Sequence, residues 1–524
     1  MTATARYWQT RFAPHRTDPD FAPDISLVQE ALAAGHTLAR RDTPAITDGT
    51  LRITLQAALD GHIAPLVADG HHLWLYRIFQ AEADLARQLL ARLGSLPAAQ
   101  HDLAPYTRDL RPDQQRAVAH GLGHRLTLIN GGPGTGKTYT VARLVAAIQT
   151  GNPDTRIALA APTGKAAQRM SESLAAALGS HHEAQTLHRL LGIGQNSQPR
   201  YHASRPLPYD LILIDEASML SLELARALLA AVAPESRLVL LGDADQLAAV
   251  EPGAVLHDLA RHPLLAAHIV TLTTSQRFAA ASGIGQLAAA VLVGDTAAAD
   301  ALLADHPDLA HHRESSAAAL FAPYEPYLQT LREAADPDAC FAAFARYRVL
   351  CAGHHGPLGV QTLNRAMRTA HLRALQLPTH STWYHGQPVL ITRNDYANQL
   401  YNGDIGLCLA SGGQLQLHFP GRAPLPLTRL NPAQLDSAYA MTIHKSQGSE
   451  FDHVALAFDP SGIAHTSREL LYTGITRARK RLDIHASRPS LHQAIRTPTQ
   501  RSTGLDILLN RLAPPAAPHQ PTLL

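Results

Sequence analysis

Short, uninterrupted apolar runs punctuate the middle of the chain, at residues 126–129, 157–161, 211–214 and 238–241. Between them lie segments whose apolar positions recur at helical spacing, such as Val141, Leu144, Val145 and Ile148. A strand covered by helices on both faces has no solvent side toward which to alternate, so this texture predicts a parallel α/β sheet. A second set of runs at 348–351, 454–458 and 482–486, with a helical stretch at 363–375, predicts a second α/β lobe. Residues 383–419 read differently. There Asn402-Gly403 precedes an apolar run at 405–409, and Gly412-Gly413 precedes another at 415–419, with a strand-like stretch at 388–392 upstream. Such pairs are hairpin signals and predict a small β-barrel insert. From Ile25 to about Leu93 the pattern reads as helical, with Ile78, Leu85, Leu89 and Leu93 on one face before Gly94. The cluster of Leu73, Trp74, Leu75, Tyr76 and Phe79 is better read as core than as a partner-facing patch. A linker rich in small residues follows at 94–105.

Composition narrows the function classes. A chain of 524 residues with 46% hydrophobic residues suggests a folded protein of roughly three or four domains. Its 45 basic and 43 acidic residues leave a formal charge of +2, so any contact with nucleic acid must come from a local groove. The 30 histidines add positive charge mainly below about pH 6.5. Cys340, Cys351 and Cys408 form neither a disulfide framework nor a zinc pattern, which favours a reducing cytoplasm. Arg6, Trp8, Arg11 and Asp18 near the N-terminus interrupt any signal-like apolar region. No run approaches the ~18 apolar residues a membrane span needs.

The strongest candidate chemistry is the run Gly131-Gly132-Pro133-Gly134-Thr135-Gly136-Lys137-Thr138, placed between a strand-like run and an amphipathic helix. In a P-loop, backbone N–H groups of a glycine-rich turn wrap phosphate oxygens at a helix N-terminus. Lys137 would reach the β- and γ-phosphates and Thr138 would ligate Mg²⁺, so the chain is expected to bind ATP. The run at 211–214 ends in Asp215-Glu216, suited to holding Mg²⁺ and activating water. Asp243-Ala244-Asp245-Gln246 follows the next strand and supplies an amide able to sense the γ-phosphate. Thr163 and Lys165, after 157–161, present a hydroxyl and a cation able to grip a backbone phosphate. All of these fall at the carboxyl edge of one sheet, where open α/β folds bind ligands.

The ordered set 110–118, GGPGTGKT, 160–167, 186–191, 214–218, 242–246, Gln276-Arg277-Phe278, 442–450 (TIHKSQGSE) and 472–478 (YTGITRA) resembles the motifs of superfamily 1 helicases. More narrowly it resembles the RecD subunits of RecBCD enzymes, the alpha subunit of exodeoxyribonuclease V. The resemblance implies two RecA-like lobes, at 106–268 and 269–524, behind a helical N-terminal docking domain at 1–105. It also implies that the insert, at 383–435, is SH3-like. In such a protein Gln114 would read adenine, Glu450 would hold the ribose, and Arg277 and Arg477 would reach across the cleft as cationic stabilisers. Thr163, Lys165, His188, Thr442 and His444 would line a DNA groove, and residues 192–207 would form either a strand-splitting hairpin or a plain loop. The implied activity is 5′ to 3′ translocation on single-stranded DNA from duplex ends. The implied partners are RecB-like and RecC-like subunits in a heterotrimer, the nuclease residing in the RecB-like one. Two alternatives stand beside this: a free-standing RecD-like helicase, and a non-motor subunit switched by ATP.

Overall fold

The computed structural model describes residues 3–13, 18–96, 103–179, 182–194, 196–275, 282–334, 336–395, 397–411, 413–459 and 466–514. The N-terminal region is helical in part, with helices Ala3–Phe12, Phe21–Ala33, Leu55–Leu59 and Tyr76–Leu90, but it also holds a small sheet that the helical reading does not contain. Its strands β1 (Ala39–Arg40), β2 (Arg52–Thr54), β3 (Leu66–Asp69) and β4 (His72–Leu75) form a sheet in the order β1-β4-β3-β2. Within 25–93 the helical reading holds for Phe21–Ala33, Leu55–Leu59 and Tyr76–Leu90 and fails over the strands between them. Two- to four-residue strands are too short to establish a period of two, but one local signal was legible. Asp69-Gly70 turns β3 into antiparallel β4, with Gly70 at a φ of 59°. Trp74 and Phe79 are fully buried, as a core reading requires.

Helix Tyr76–Leu90 packs against the helix Leu222–Ala231 and against the last described helix, Leu505–Leu512. This last described helix therefore returns from the second half of the protein to the first. Glu82, buried on Tyr76–Leu90, ties that return down. Its carboxylate accepts from Thr37 Oγ1 at 2.6 Å, from the backbone N–H of Gly504 at 3.0 Å and from Trp74 Nε1 at 3.0 Å. Burial pushes Glu82 up to about 7, although these donors pull the other way. In the unfolded chain the group ionises near 4.5, so between the two values folding retains a proton that unfolding releases. Its stabilising contribution is complete below about pH 4.5 and falls as pH rises to 7, by about 3 kcal/mol. Asp258 nearby is also pushed up to about 7, chiefly by burial, and acts in the same direction. Histidines held below the usual imidazole range pull the other way between about pH 4 and 6.5, so the contribution is read by difference. From pH 5 to 7.5 the urea-unfolding free energy of the parent, followed by Trp fluorescence, should fall by about 2 to 3 kcal/mol relative to that of Glu82→Gln.

Six strands build the first lobe: β5 (Leu126–Gly131), β6 (Ile157–Ala161), β7 (Ala184–Thr186), β8 (Leu211–Ile214), β9 (Arg237–Gly242) and β10 (Ile269–Leu272). All pair in parallel, in the order β10-β5-β9-β8-β6-β7. The four strands expected from apolar runs are the central ones, buried on both faces; the unexpected β7 and β10 are the edges.

The second lobe repeats the plan with β11 (Leu309–His312), β12 (Tyr347–Cys351), β18 (Ala440–Thr442), β19 (Phe451–Ala457) and β20 (Ala478–His485), all parallel in the order β11-β20-β19-β12-β18. Between β12 and β18 the chain inserts β13 (Gln387–Ile391), β14 (Ile405–Ser411), β15 (Gln414–His418), β16 (Leu425–Pro426) and β17 (Leu435–Ser437). These pair antiparallel in the order β16-β15-β14-β13-β17 around their own apolar core. Asn402-Gly403 does not make a two-residue hairpin. It closes a longer β13–β14 loop, where Gly403 at a φ of 97° donates its N–H to Ile391. The described residues of 192–207 carry one isolated antiparallel bridge, His202 to Arg205, and no further strand pairing. Among the described residues no helix is long and apolar enough to cross a membrane.

Candidate nucleotide site between the two lobes

β5 ends at Gly131, and the turn that follows delivers the helix Lys137–Gly151. Gly134 and Gly136 adopt φ of 74° and 83°, a left-handed backbone that a side chain would strain. At Gly136 a Cβ would also sit 2.7 Å from Gln114 Nε2 and displace the end of that side chain from the loop. Lys137 folds onto the loop, its Nζ donating to the carbonyls of Gly131 at 2.5 Å and Gly132 at 3.2 Å. Thr135 Oγ1 closes the turn onto Gly132 at 2.8 Å. Gln114 Nε2 lies 3.4 Å from the carbonyl of Thr135, and Gln114 Oε1 accepts from Arg111 N–H at 3.2 Å. The adenine-reading candidate is thus built onto the loop itself.

β8 and β9 bring the acidic groups to the same edge. Loss of water, then the adjacent Glu216 carboxylate, raises Asp215 above the usual carboxylate range, with Lys137 pulling it back. Glu216 occupies the left-handed region, φ 51° and ψ 42°, which is uncommon for a residue with a Cβ. At the end of β9, Asp243 is buried and raised chiefly by desolvation. It accepts from Gln246 Nε2 at 3.0 Å and from Tyr472 OH, a second-lobe residue, at 2.9 Å. Two further bonds join the lobes here. Leu247 N–H donates to Thr473 Oγ1 at 2.9 Å, and Gln447 Nε2 donates to the Leu247 carbonyl at 3.0 Å.

Arg477 completes the cleft from the second lobe. It is 3% exposed, and among the described residues its guanidinium donates only to backbone carbonyls, Thr473 at 3.1 Å and Ser449 at 3.3 Å. With Lys137, Thr138, Asp215, Glu216, Gln246 and Glu450 it lines one cavity of about 180 Å³. Glu450 is engaged on both oxygens, by Arg169 of the first lobe and by Arg479 Nε at 3.1 Å. Arg277 lies outside the described residues.

The five candidate DNA contacts do not share one set of contacts. Thr163 caps the helix Gly164–Leu178, accepting from Ala166 N–H at 3.3 Å. Thr442 is buried and accepts from Lys445 N–H at 3.3 Å, whereas His188 is exposed. His444 is half-buried and held below the usual imidazole range by burial, then by Arg501 and His354. Lys165 lines a second cavity that adjoins the nucleotide cleft rather than the cleft itself. Sequence reasoning gave no role to Tyr472, Asp243 or Arg169. The first two stood inside motifs already noted, but their partnership spans the two lobes and no spacing reveals it.

A P-loop at the carboxyl edge of one parallel sheet, closed by a buried arginine from a second, defines a two-lobed P-loop nucleoside triphosphatase. Family models agree, with an AAA domain matching residues 114–252 and a UvrD-like helicase C-terminal domain matching 437–484. The RecBCD enzyme subunit RecD of Mycobacterium tuberculosis is 39% identical, over 85% of this chain and 83% of its own length. An ATP-dependent RecD2 DNA helicase of Deinococcus radiodurans is 33% identical over 83% of this chain and 60% of its own. A crystal structure of Bacteroides Pif1 bound to ssDNA covers 73% of the chain at 18% identity, with a TM-score of 0.41. The chain belongs to the RecD family.

Proposed function

We propose that this chain is an ATP-dependent DNA helicase, a single-strand translocase that serves as a motor subunit of a RecBCD-type helicase/nuclease at double-strand breaks. The observation that carries this is the cleft itself. Lys137 from one lobe and Arg477 from the other line a single cavity, so hydrolysis requires the lobes to be together. Tyr472, Thr473 and Gln447 bind directly to the loop that carries Gln246, so a change at the γ-phosphate reaches the lobe interface through hydrogen bonds. In this reading Gln114 selects adenine, Lys137 and the loop 131–136 hold the phosphates, and Glu216 activates the attacking water. Thr138 and Asp215 would hold Mg²⁺, which supplies charge neutralisation at the phosphates when bound. Glu450 would exchange Arg169 for the ribose, and Arg277 would join Arg477. Thr163, Lys165, His188, Thr442 and His444 would contact the strand.

The finer assignments are part of the same proposal. Residues 1–105 dock onto a RecC-like partner, 106–268 and 269–524 are the RecA-like lobes, and the insert at 383–435 is SH3-like. The complex works in the cytoplasm, the nuclease belongs to a RecB-like subunit, and movement runs 5′ to 3′. Steady-state ATPase, measured with and without an oligodeoxynucleotide and a matched RNA, tests the core of it. Turnover should climb steeply with DNA and much less with RNA, and duplexes with a 5′ tail should be unwound in preference to those with a 3′ tail. ATPase indifferent to DNA would overturn the motor reading. The Deinococcus relative supports a second reading, a free-standing helicase. Recovery from the native cell with two large partners favours the subunit, whereas a monodisperse active monomer favours the alternative.

A further inference from the structure

A second and larger cavity, of about 390 Å³, adjoins the nucleotide cleft, Arg169 and Glu450 lining both. Its walls come from three places: the helix Gly164–Leu178 of the first lobe, the β13–β14 and β15–β16 loops of the insert, and the second lobe around Phe344 and β12. Five cations and three carboxylates line it, which leaves an excess of two positive charges. Pairing locates that excess. Arg422 is held by Asp404 at 3.0 Å, and Arg169 and Arg479 share Glu450. Glu172 is exposed at the rim and accepts from Gln168. Lys165 and Arg348 make no ion pair within 4 Å among the described residues; the one carboxylate acting on Lys165 from farther off is Asp404, already held by Arg422.

Arg348 is the more telling of the two. It is 1% exposed, and its guanidinium lies 4.1 Å from the ring centre of Phe344 and 5.2 Å from that of Phe451. Its Nη1 donates to the carbonyl of Ala438 at 2.5 Å and Tyr324 is a further hydrogen-bond partner, whereas its buried Nε has no partner among the described residues. A buried guanidinium of this kind is costly unless something anionic answers it. The ammonium of Lys165 is held down to about 8, first by loss of water and then by the neighbouring Arg348. Both effects would be relieved by an anion between the two.

We propose that this cavity is a phosphate-binding site distinct from the P-loop, in which Lys165 and Arg348 grip a phosphate group carried by a small anion or by a nucleotide of a bound strand. The aromatic side chains beside Arg348 suit a ligand with an apolar portion next to its charge. Because the insert, the second lobe and the first-lobe helix each contribute to the walls, occupancy would bind the insert to the closed arrangement of the lobes.

Calorimetric titration of the full chain with inorganic pyrophosphate, after the P-loop has been saturated with ADP, tests the site. A binding event should remain, and it should weaken at least about tenfold in Lys165→Met, as expected for loss of a charge-assisted contact. Arg348→Met should abolish it. If that variant fails to fold, Lys165→Met alone decides, since its side chain is only half-buried and closes no core. Repeating the titration with saturating oligo-dT separates the sources. Competition assigns the phosphate to the strand, and undiminished pyrophosphate binding assigns it to a free ligand; either result keeps the site. Absence of any pyrophosphate binding to the ADP-loaded parent, or equal binding by the parent and Lys165→Met, overturns it.

Discussion

Arg477→Ala is expected to bind ATP within a few-fold of the parent while turning it over about 10³-fold or more slowly, the scale on which an arginine supplied in trans to a phosphoryl site acts. Sequence alone left room for a surface salt bridge at this position, which would be worth at most about 1 kcal/mol. Burial at 3% exposure removes that possibility, and so does the absence of a carboxylate partner among the described residues. Two backbone carbonyls aim the guanidinium without neutralising it. A buried cation so held keeps its charge for whatever enters the cavity that Lys137 lines from the other side.

Fluorescent-nucleotide titration and phosphate release, measured on the same preparation, separate the two quantities. Arg477→Lys should recover a small part of the rate, because an ammonium supplies charge without the planar fork. Turnover of Arg477→Ala within about threefold of the parent would remove the closure-dependent chemistry, and would favour a subunit in which ATP only switches assembly. Loss of ATP affinity in step with turnover would instead make Arg477 a ground-state contact.

What could be read in the sequence was set by how far each signal extends along the chain. The central strands β5, β6, β8 and β9 are four to six residues long and buried on both faces, so each announced itself as an apolar run. β1, β7 and β18 span two or three residues and owe their pairing to neighbours far away in the chain, which no local pattern encodes. The P-loop was legible because its chemistry lies in eight consecutive residues. Arg477 was legible only through resemblance, since its place opposite Lys137 depends on how two lobes meet. The Asp243–Tyr472 bond, joining residues 229 apart, was invisible for the same reason. Glu450 shows the converse difficulty. Its motif was recognised, but its ion pair with Arg169 comes from a helix that nothing in the sequence links to it. The misreading of the N-terminal region has a simpler cause, a true helical stripe on Tyr76–Leu90 projected backward across a hairpin.

Glu216→Gln should lower turnover by about 10² to 10⁴, the usual worth of a positioned general base, and leave ATP affinity unchanged or improved. The backbone supports this assignment independently of the motif. A non-glycine residue at φ 51° costs about 1 to 3 kcal/mol, and such strain persists where surrounding structure enforces it. Here the enforcement is visible. The Glu216 N–H donates to Asp215 Oδ1 at 2.8 Å, and a single-turn helix, Ala217–Met219, begins at the next residue. The strain turns Glu216 toward the cleft from a strand whose own residues face the core.

Glycine at this position would relax the backbone and lose the carboxylate, so Glu216→Gly should be more stable by about 1 kcal/mol and as inactive as the amide. Thermal unfolding and single-turnover hydrolysis on the three proteins give the test. If Glu216→Gln keeps turnover within tenfold, the water is activated elsewhere, and Asp215 becomes the group to examine. If Glu216→Gly is destabilised, the left-handed geometry is being held by side-chain contacts rather than imposed for function. A gain in stability with a loss of rate would be the signature of strain retained for chemistry, because nothing but hydrolysis would then account for a glutamate where glycine fits better.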